Sequence, residues 1–301
     1  MSYSELFHDR TALKANGLPD EVSPLLRRII APNPSPFTFT GTCTYIVGRG
    51  RVAIVDPGPE NEEHLAAMLK AIDGETLDTI LITHTHRDHS PGAIALKAAT
   101  GARIIGCAPH VPIMNDTSGR PDASHDMNYT PDAVMSDGDI HEGDGFSIEA
   151  IHTPGHASNH LCFSIREADT ILCGDHVMAW STTVVAPPDG SMGDYMTSLE
   201  KLCARSEKHF YPGHGSPLQD PRRYMRALAH HRRMRESAIM RVVANAALTI
   251  PEIVDLVYID LDPRLKNAAA LSVLAHMEDL VARDVVDAGG PATFEAVYRA
   301  K

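Results

Sequence analysis

Short β-like runs alternate with helical spacings of apolar residues over the first two thirds of the chain. Glu62 to Ile72 and Ala93 to Ala99 repeat apolar residues at helical intervals, and Ser90 is predicted to cap the second helix. The predicted strands are 37–40, 43–47, 52–55, 79–82, 103–107, 146–151, 161–165, 170–173 and 208–211. Residues 1–35 are rich in proline and are predicted to form an irregular segment that packs on the edge of a sheet. Together these patterns predict an α/β (α+β) fold.

The last third of the chain has a different pattern. A long helix is predicted from Pro221 to Ala247, and a second begins at Thr249, where Glu252 stands at the spacing of a capping box. A third helix is predicted over 263–283, followed by a β-ribbon over 285–294. Three helices and a ribbon predict a winged helix. The predicted domains are therefore an N-terminal segment (1–35), a larger domain (36–220) and a winged-helix-like domain (221–301).

Four side chains that bind metals are concentrated after the apolar run 79–82. They are His84, His86, Asp88 and His89. Because side chains alternate along an extended chain, His84 and His86 can bind one ion, while Asp88 and His89 are free to turn towards another. The pattern predicts a site for two metal ions at the end of a strand.

The arrangement of residues 84–89 resembles the HxHxDH motif of the metallo-β-lactamase superfamily. Four further motifs of that family are also present, and all five motifs occur in the order typical of the family. The four are Asp56 before Pro57-Gly58, His156 in 153–156, Asp175 in 173–175 and His214 in 211–215. The resemblance covers about 36–220 and implies a four-layer αββα sandwich. With the C-terminal helices it is similar to the β-lactamase-like protein 2 group, a hydrolase branch close to glyoxalase II that includes a single-strand endoribonuclease.

The resemblance also implies roles for the motif residues. It assigns His84, His86 and His156 to a first metal, Asp88, His89 and His214 to a second, and Asp175 to a bridge between them. It assigns Asp56 to orienting the ligand loop. All these ligands offer nitrogen or oxygen, so two zinc ions are expected, with manganese or iron as alternatives. Metals about 3.5–4 Å apart would hold a nucleophilic hydroxide, and Asp88 could pass a proton to the leaving group.

Several residues outside the motifs are candidates for a substrate pocket. His160 and His176 could reach a substrate oxygen, although hydrogen-bonded structural roles are the favoured interpretation for both. Trp180 and Tyr195 lie in a segment (177–195) that is expected to form a wall of the pocket. The polar stretch 109–139 is expected to border the site. Its histidines, His110 and His125, are interpreted as surface residues.

Charge and composition narrow the class of protein. The formal net charge of −12 divides into −14 through Pro221 and +2 from Arg222 onward, so the larger domain would repel polyanions. No run approaches the roughly 18 apolar residues of a membrane span, and the N-terminus has no signal-peptide pattern. Five scattered cysteines without a CxxC pair suit a reducing compartment. We expect a cytoplasmic protein with no membrane partner. A homodimer is one of the oligomeric states that the sequence allows.

Three functions are compatible with these observations. The first is a binuclear zinc hydrolase of a small ester, thioester or lactone. The second is a metal-dependent endoribonuclease acting on single-stranded RNA, as the C-terminal resemblance implies. The third is a non-hydrolytic metal protein with a regulatory winged helix. Weak basic character in the predicted third helix, where Arg264 and Lys266 lie among acidic residues, makes RNA the less favoured partner.

Overall fold

The computed structural model describes residues 8–112 and 125–301, without the side chain of Arg264. Two sheets pack face to face at its centre. The first has seven strands in the order β1 to β7: Asp20–Ser23, Leu26–Ile30, Cys43–Arg49, Arg51–Val55, Thr76–Ile82, Arg103–Gly106 and Ala133–Val134. The second has five strands in the order β12-β11-β10-β9-β8, with β8 Ile140–Glu142, β9 Ser147–His152, β10 Leu161–Ile165, β11 Thr170–Leu172 and β12 His209–Tyr211.

Helices cover the outer faces of both sheets. Helices α1 (Glu62–Ala71) and α2 (Gly92–Thr100) pack on the first sheet, and α3 (Met192–Cys203) and the first half of α4 (Pro221–Val243) pack on the second. The resulting order of layers is the expected αββα sandwich, so this prediction is confirmed. Both faces of each sheet are covered, which explains why strands such as β4 read as continuous apolar runs.

The period of two along β10 decides which core each residue joins. Phe163 and Ile165 belong to the core between the sheets, whereas Cys162 belongs to the core beneath α3 and α4. The same alternation separates Leu172 from Ile171 on β11. Because successive side chains on a strand point to opposite faces, one short apolar strand supplies both cores.

The N-terminal segment is more regular than its prolines predict. The prediction of an irregular segment over 1–35 is wrong for 20–30, where β1 and β2 extend the first sheet antiparallel to β3. All five residues of β2 are buried, and Arg27 pairs with Glu75 at 2.6 Å. The prolines lie outside these strands, so they do not interrupt the backbone ladder. The predicted strand over 37–40 also does not form; Phe39 makes only an isolated bridge with Ser35.

Two predictions of helix capping have different outcomes. The capping box at the start of α5 (Ile250–Val257) is confirmed, because Glu252 accepts hydrogen bonds from the backbone nitrogen and the hydroxyl of Thr249 at 2.8 Å. The predicted Ser90 cap is wrong: the cap of α2 is Pro91, and the Ser90 hydroxyl donates instead to Asp126 at 2.9 Å. A tertiary partner therefore outcompetes the local backbone for this hydroxyl.

The C-terminal region has its own core. Helices α5 and α6 (Lys266–Ala282) pack with the second half of α4 and with a ribbon of β13 (Val286–Asp287) and β14 (Arg299–Ala300). The predicted ribbon over 285–294 is wrong in its second strand, because the partner of β13 lies beyond a long connection. Helix α4 belongs to two cores, with Leu228 in the sandwich and Ile239 in the C-terminal domain. The boundary at 221 stays a prediction.

Among the described residues, no helix combines the length and apolar character needed to cross a bilayer. All five cysteines carry free thiols.

Candidate metal centre

Every predicted motif residue lies just beyond the carboxyl end of a strand, at one edge of the two sheets. Strands β4, β5, β9, β11 and β12 lead respectively to Asp56, to the 84–89 loop, to His156, to Asp175 and to His214. Backbone hydrogen bonds tie the two sheets together at this edge, since the nitrogen of Cys43 donates to the oxygen of Gly213 at 2.7 Å. The ends of the strands therefore position the motif side chains next to one another.

The first group of side chains consists of three histidines. His86 Nδ1 lies 3.0 Å from His84 Nε2 and 3.1 Å from His156 Nε2. His84 is fully buried, and His86 is nearly so. Three nitrogens this close leave room for one ion between them, and the three ligand atoms lie within 4.8 Å of one another.

The second group combines histidines and carboxylates. His214 Nε2 lies 3.1 Å from Asp88 Oδ2, 3.3 Å from Asp175 Oδ2 and 3.3 Å from His89 Nε2. Asp88 is the most open member, with 23% of its side chain exposed. The four ligand atoms also lie within 4.8 Å of one another. This donor set could hold a second cation.

Asp175 lies between the two groups. Its Oδ2 is 3.7 Å from His156 Nε2 in the first group and 3.3 Å from His214 Nε2 in the second. Its Oδ1 is buried and accepts no hydrogen bond from the described residues. A buried carboxylate oxygen without a donor is costly, and a cation would satisfy it. The position suits the bridging role that the sequence predicts.

The outward nitrogens of the histidines are held by neighbouring groups. His156 Nδ1 donates to the oxygen of Val184 at 2.7 Å, and His214 Nδ1 to the oxygen of Gly41 at 3.3 Å. His89 Nδ1 faces Asp56 Oδ2 at 2.9 Å. A ring that donates through Nδ1 keeps an unprotonated Nε2 for a metal, and such outer contacts orient metal ligands in proteins.

Asp56 organises the base of the ligand loop. Besides His89, it accepts hydrogen bonds from the backbone nitrogen of Thr83 at 2.8 Å and from the Thr83 hydroxyl at 2.7 Å. That hydroxyl also contacts His84 Nδ1 at 2.9 Å. Asp56 has a φ of 51°, and its carboxylate contacts His89 directly and His84 through the Thr83 hydroxyl. Asp56 belongs to neither group of candidate ligands, and its contacts suit the orienting role that the resemblance implies.

The electrostatics of the cluster favour a cation. Burial alone would lower the pKa of His214, yet the Asp175 carboxylate raises it to about 9. Burial also opposes protonation of His89, but Asp88, Asp175 and Asp56 raise its pKa well above 6.5. The pKa of Asp175 is held well below its usual value by His214 and His89, against the effect of burial. The carboxylates therefore stabilise positive charge at these nitrogens, which a bound cation would supply.

Gly213 makes room for this arrangement. A Cβ at this position would lie 2.5 Å from Asp175 Oδ1 and 2.7 Å from His89 Cε1. Only glycine fits between the carboxylate and the imidazole. The donor types, the unpaired carboxylate oxygen and this close approach together fit two cations bound by the seven predicted residues.

The four candidate pocket residues have different environments in the structure. His160 is fully buried, with Thr153 Oγ1 at 2.8 Å from its Nδ1 and the backbone nitrogen of Asp175 donating to its Nε2 at 3.2 Å. This arrangement agrees with the structural role that the sequence favours for His160. His176 is also fully buried, and Tyr195, on α3, donates its hydroxyl to the oxygen of His176 at 3.1 Å. Trp180 lines a cavity of ≈ 480 Å³.

Sequence reasoning missed a polar cluster beside His86. The interpretation of His110 and His125 as surface residues is wrong: their side chains are 9% and 7% exposed, and their rings stack at 3.5 Å. His125 lies between Thr85 Oγ1 at 2.7 Å and Asp189 Oδ2 at 3.2 Å. His86, His125 and Asp189 form a third group that could hold a cation. No spacing in the sequence connects these positions, and residues 113–124 of the same predicted loop lie outside the described residues.

Comparison with known proteins agrees with this geometry. A family model described as the metallo-beta-lactamase superfamily matches residues 37–214, and one described as the beta-lactamase associated winged helix domain matches 249–291. A beta-lactamase-like protein 2 homolog of Drosophila melanogaster is 29% identical over 264 residues, covering 84% of this chain and 86% of the relative. An atrochrysone carboxyl ACP thioesterase of Aspergillus fumigatus is 29% identical over 257 residues, covering 81% of this chain and 75% of the relative.

The fold has a counterpart among solved structures. A beta-lactamase domain protein from Burkholderia ambifaria superposes with a TM-score of 0.81 at 19% identity, covering 100% of this chain and 99% of that protein. The family motifs, the αββα sandwich and the convergence of their side chains at one edge agree with the family match over more than half of the chain. The chain therefore belongs to the metallo-β-lactamase superfamily of metallohydrolases and carries the winged helix associated with it.

Proposed function

We propose that this protein is a binuclear zinc hydrolase that cleaves an ester, thioester or lactone bond in a small molecule. The observation that carries the proposal is the position of Asp175 between two groups of nitrogen and oxygen donors. The thioesterase activity in the name of the Aspergillus fumigatus relative supports a thioester among the candidate bonds.

The donor set favours zinc over other metals. Five imidazoles and two carboxylates, without a thiolate, suit zinc, although manganese and iron are compatible alternatives. His84, His86 and His156 would hold one ion, and Asp88, His89 and His214 the other, with Asp175 between them. When bound, two such ions supply Lewis-acid polarisation of a carbonyl group and activation of water.

The chain's own residues provide orientation and proton transfer. Asp88 is the carboxylate most open to solvent, at 23% exposure, and its Oδ2 lies 3.1 Å from His214 Nε2. The Asp88 pKa is lowered because His89 and His214 outweigh the effect of burial. The lowered pKa favours the ionised form of this partly exposed carboxylate, which can accept a proton and pass it to a leaving group. Asp56, Val184 and Gly41 fix the histidine rings, so little reorganisation is needed on binding substrate.

A paired metal and activity measurement tests the proposal. We expect two zinc ions per chain by elemental analysis, and hydrolysis of members of a thioester, ester and lactone panel that stops with chelator and returns with zinc. His156→Ala should lose both metal and activity, whereas His230→Ala, at an exposed position on α4, should retain both. Full activity in metal-depleted protein, or one metal or none at saturating zinc, would reject the binuclear mechanism.

The RNA alternative finds little support in the described charges. Lys266 pairs with Asp255 at 2.8 Å, and Arg283 pairs with Glu236 at 2.7 Å and Asp279 at 2.9 Å. Arg233 on α4 pairs with Glu200 at 2.6 Å. Cations already paired in this way offer a weak surface for phosphates. We expect labelled single-stranded RNA to stay intact with zinc-loaded protein; cleavage abolished by His86→Ala would instead establish the endoribonuclease.

The non-hydrolytic alternative is separated by the same elemental analysis. Iron as the metal bound on purification, with no hydrolysis across the panel, would favour it.

A further inference from the structure

A cavity of ≈ 480 Å³ lies between the sandwich and the C-terminal helices. The segment 180–185 forms one wall, α4 contributes His231, Arg232 and Arg235, and the region from Tyr258 to Ser272 forms the opposite side. The volume falls within the range of about 300–1,000 Å³ typical of small-molecule sites. Neither the family motifs nor the proposed metal ligands include any residue of this cavity.

The cavity adjoins the metal centre through residues 183 and 184. The Thr183 hydroxyl donates to the backbone oxygen of Asp175 at 2.9 Å, and the oxygen of Val184 accepts from His156 Nδ1 at 2.7 Å. Both Thr183 and Val184 also line the cavity. The same short segment therefore borders both the metal ligands and the cavity.

The chemistry of the lining is apolar and cationic. Met178, Val185, Leu261 and Leu265 are among its apolar members, and Leu265 is 53% exposed. None of the described lining residues carries a carboxylate, in a chain with a net charge of −12. Burial lowers the pKa of His231 to about 4 and also lowers the pKa of His8, so neither histidine favours its charged form. Arginines therefore supply the cavity's charge.

Arg232 provides an independent indication of a ligand. Its residue exposure is 5%, its Nη2 donates to the oxygen of Thr183, and its guanidinium carbon lies 5.2 Å above the Tyr195 ring. Its Nε is buried without a hydrogen-bond partner among the described residues. A buried guanidinium N–H that lacks an acceptor is unfavourable. Arg232 also lines the cavity, so an anion bound there can pair with the charge of its guanidinium group.

We propose that this cavity binds the part of the substrate remote from the scissile bond, and that this part is an apolar body ending in a carboxylate or phosphate held by Arg232. The proposal rests on the proposed function, because it places the reacting bond of the same substrate at the metal centre. It narrows the substrate class to amphipathic anions.

Trp180 offers a direct binding readout, because it lines the cavity and is the single tryptophan of the chain. We would titrate the zinc-loaded protein with decanoate, decyl phosphate and decanol and follow tryptophan fluorescence. At least one of the two anions should give a saturable change at a concentration about tenfold or more below that of decanol. The better anion identifies the head group. Equal affinity for decanol and both anions would overturn the proposal.

Two variants locate the binding. Arg232→Gln should raise the Kd of the preferred anion about tenfold to a hundredfold and leave decanol unchanged, whereas Arg226→Gln, an exposed position on the same helix, should behave as wild type. A carboxylate bound only to zinc would be insensitive to Arg232→Gln, and that result would reject the cavity. If Arg232→Gln fails to fold, Ala268→Leu, which adds bulk to the lining, decides the matter. Unchanged anion binding in Ala268→Leu would also reject it.

A kinetic comparison separates this proposal from the proposed function. Thioesters of octanoic acid and of its ω-carboxylated analogue should differ in KM, the charged one being lower, and Arg232→Gln should remove the difference with little change in kcat. Anion binding without any hydrolysis would reject the hydrolase and leave the cavity assignment. Hydrolysis without charge preference or fluorescence response would reject the cavity and leave the hydrolase.

Discussion

The edge of the sandwich and the C-terminal domain use buried positions in opposite ways. At the edge, His84, His89 and His214 are at most 1% exposed, and Asp175 Oδ1 accepts no hydrogen bond from the described residues. The core of the C-terminal domain is mostly apolar, as Val273, Met277 and Leu280 show, although helix α6 also buries His276. An interior that concentrates unsatisfied polar groups is poor for stability and suited to binding a cation. We infer that the packing of the two sheets compensates for the free-energy cost of burying the polar side chains of the site. The C-terminal domain, in contrast, is stabilised by the packing of its own apolar core.

Removal of the carboxylate between the two ligand groups should have the largest effect on metal binding and hydrolysis. Asp175→Ala should bind less metal and lose at least about a thousandfold in hydrolysis, because both groups of ligands share this carboxylate. Its melting temperature should change by only a few degrees, since the sheets pack without the ions. Elemental analysis, the substrate panel and circular dichroism measure the three quantities, with exposed Asp73→Ala as the control. Retention of both metals and full activity would contradict the bridging role.

A substitution that removes a large side chain from the C-terminal core should lower stability and leave the metal centre unchanged. Leu280 is 1% exposed, so Leu280→Ala should lower the free energy of unfolding by about 2–5 kcal/mol. Below the melting temperature, metal content should not change and kcat/KM should stay within about twofold. Urea unfolding measures the loss, and Leu256→Ala, at a residue 53% exposed, should cost far less. A large loss of bound metal in folded Leu280→Ala would show that the two regions are not independent.

Asp56→Asn tests the support beneath the ligands. The amide keeps the shape but cannot accept from both Thr83 and His89, so metal affinity should fall about tenfold to a hundredfold. Competition with a chromogenic chelator measures this, and exposed Asp144→Asn serves as the control. Wild-type affinity in Asp56→Asn would remove Asp56 from the site.

The smallest predicted effect concerns pH and the C-terminal domain. Burial raises the pKa of Glu278 to about 7 from an ordinary value of 4.5, so the folded state binds this proton more tightly than the unfolded state. Its stabilising contribution is present below about pH 4.5 and is lost as the pH rises towards 7. Discounted for partial solvent access, wild type should lose about 1–2 kcal/mol relative to Glu278→Gln between pH 5 and 8.

Urea unfolding across that range, with exposed Glu295→Gln as the control, measures the difference. Parallel pH profiles for wild type and Glu278→Gln would show that Glu278 titrates normally in the folded protein.

The predicted site was accessible from the sequence because each motif is local. A strand followed at once by His84, His86, Asp88 and His89 fixes where those side chains begin, and the resemblance supplies their long-range partners. Alternating apolar residues likewise fix which strands are buried. These features depend on neighbours a few residues away, and a local pattern contains that information.

Other features are decided only by tertiary contact. Ser90 donates to Asp126 and so is not a cap, β2 forms a strand because the edge of β3 is available, and His125 is buried by Asp189, 64 positions further along the chain. The cavity at Arg232 exists only because α4 joins two cores that the sequence cannot place relative to one another. The sequence alone determined the motifs, the periodicities and the identity of the candidate ligands. The burial and partnering of distant polar groups were decided by the packed structure, because their free energy depends on neighbours that no local pattern specifies.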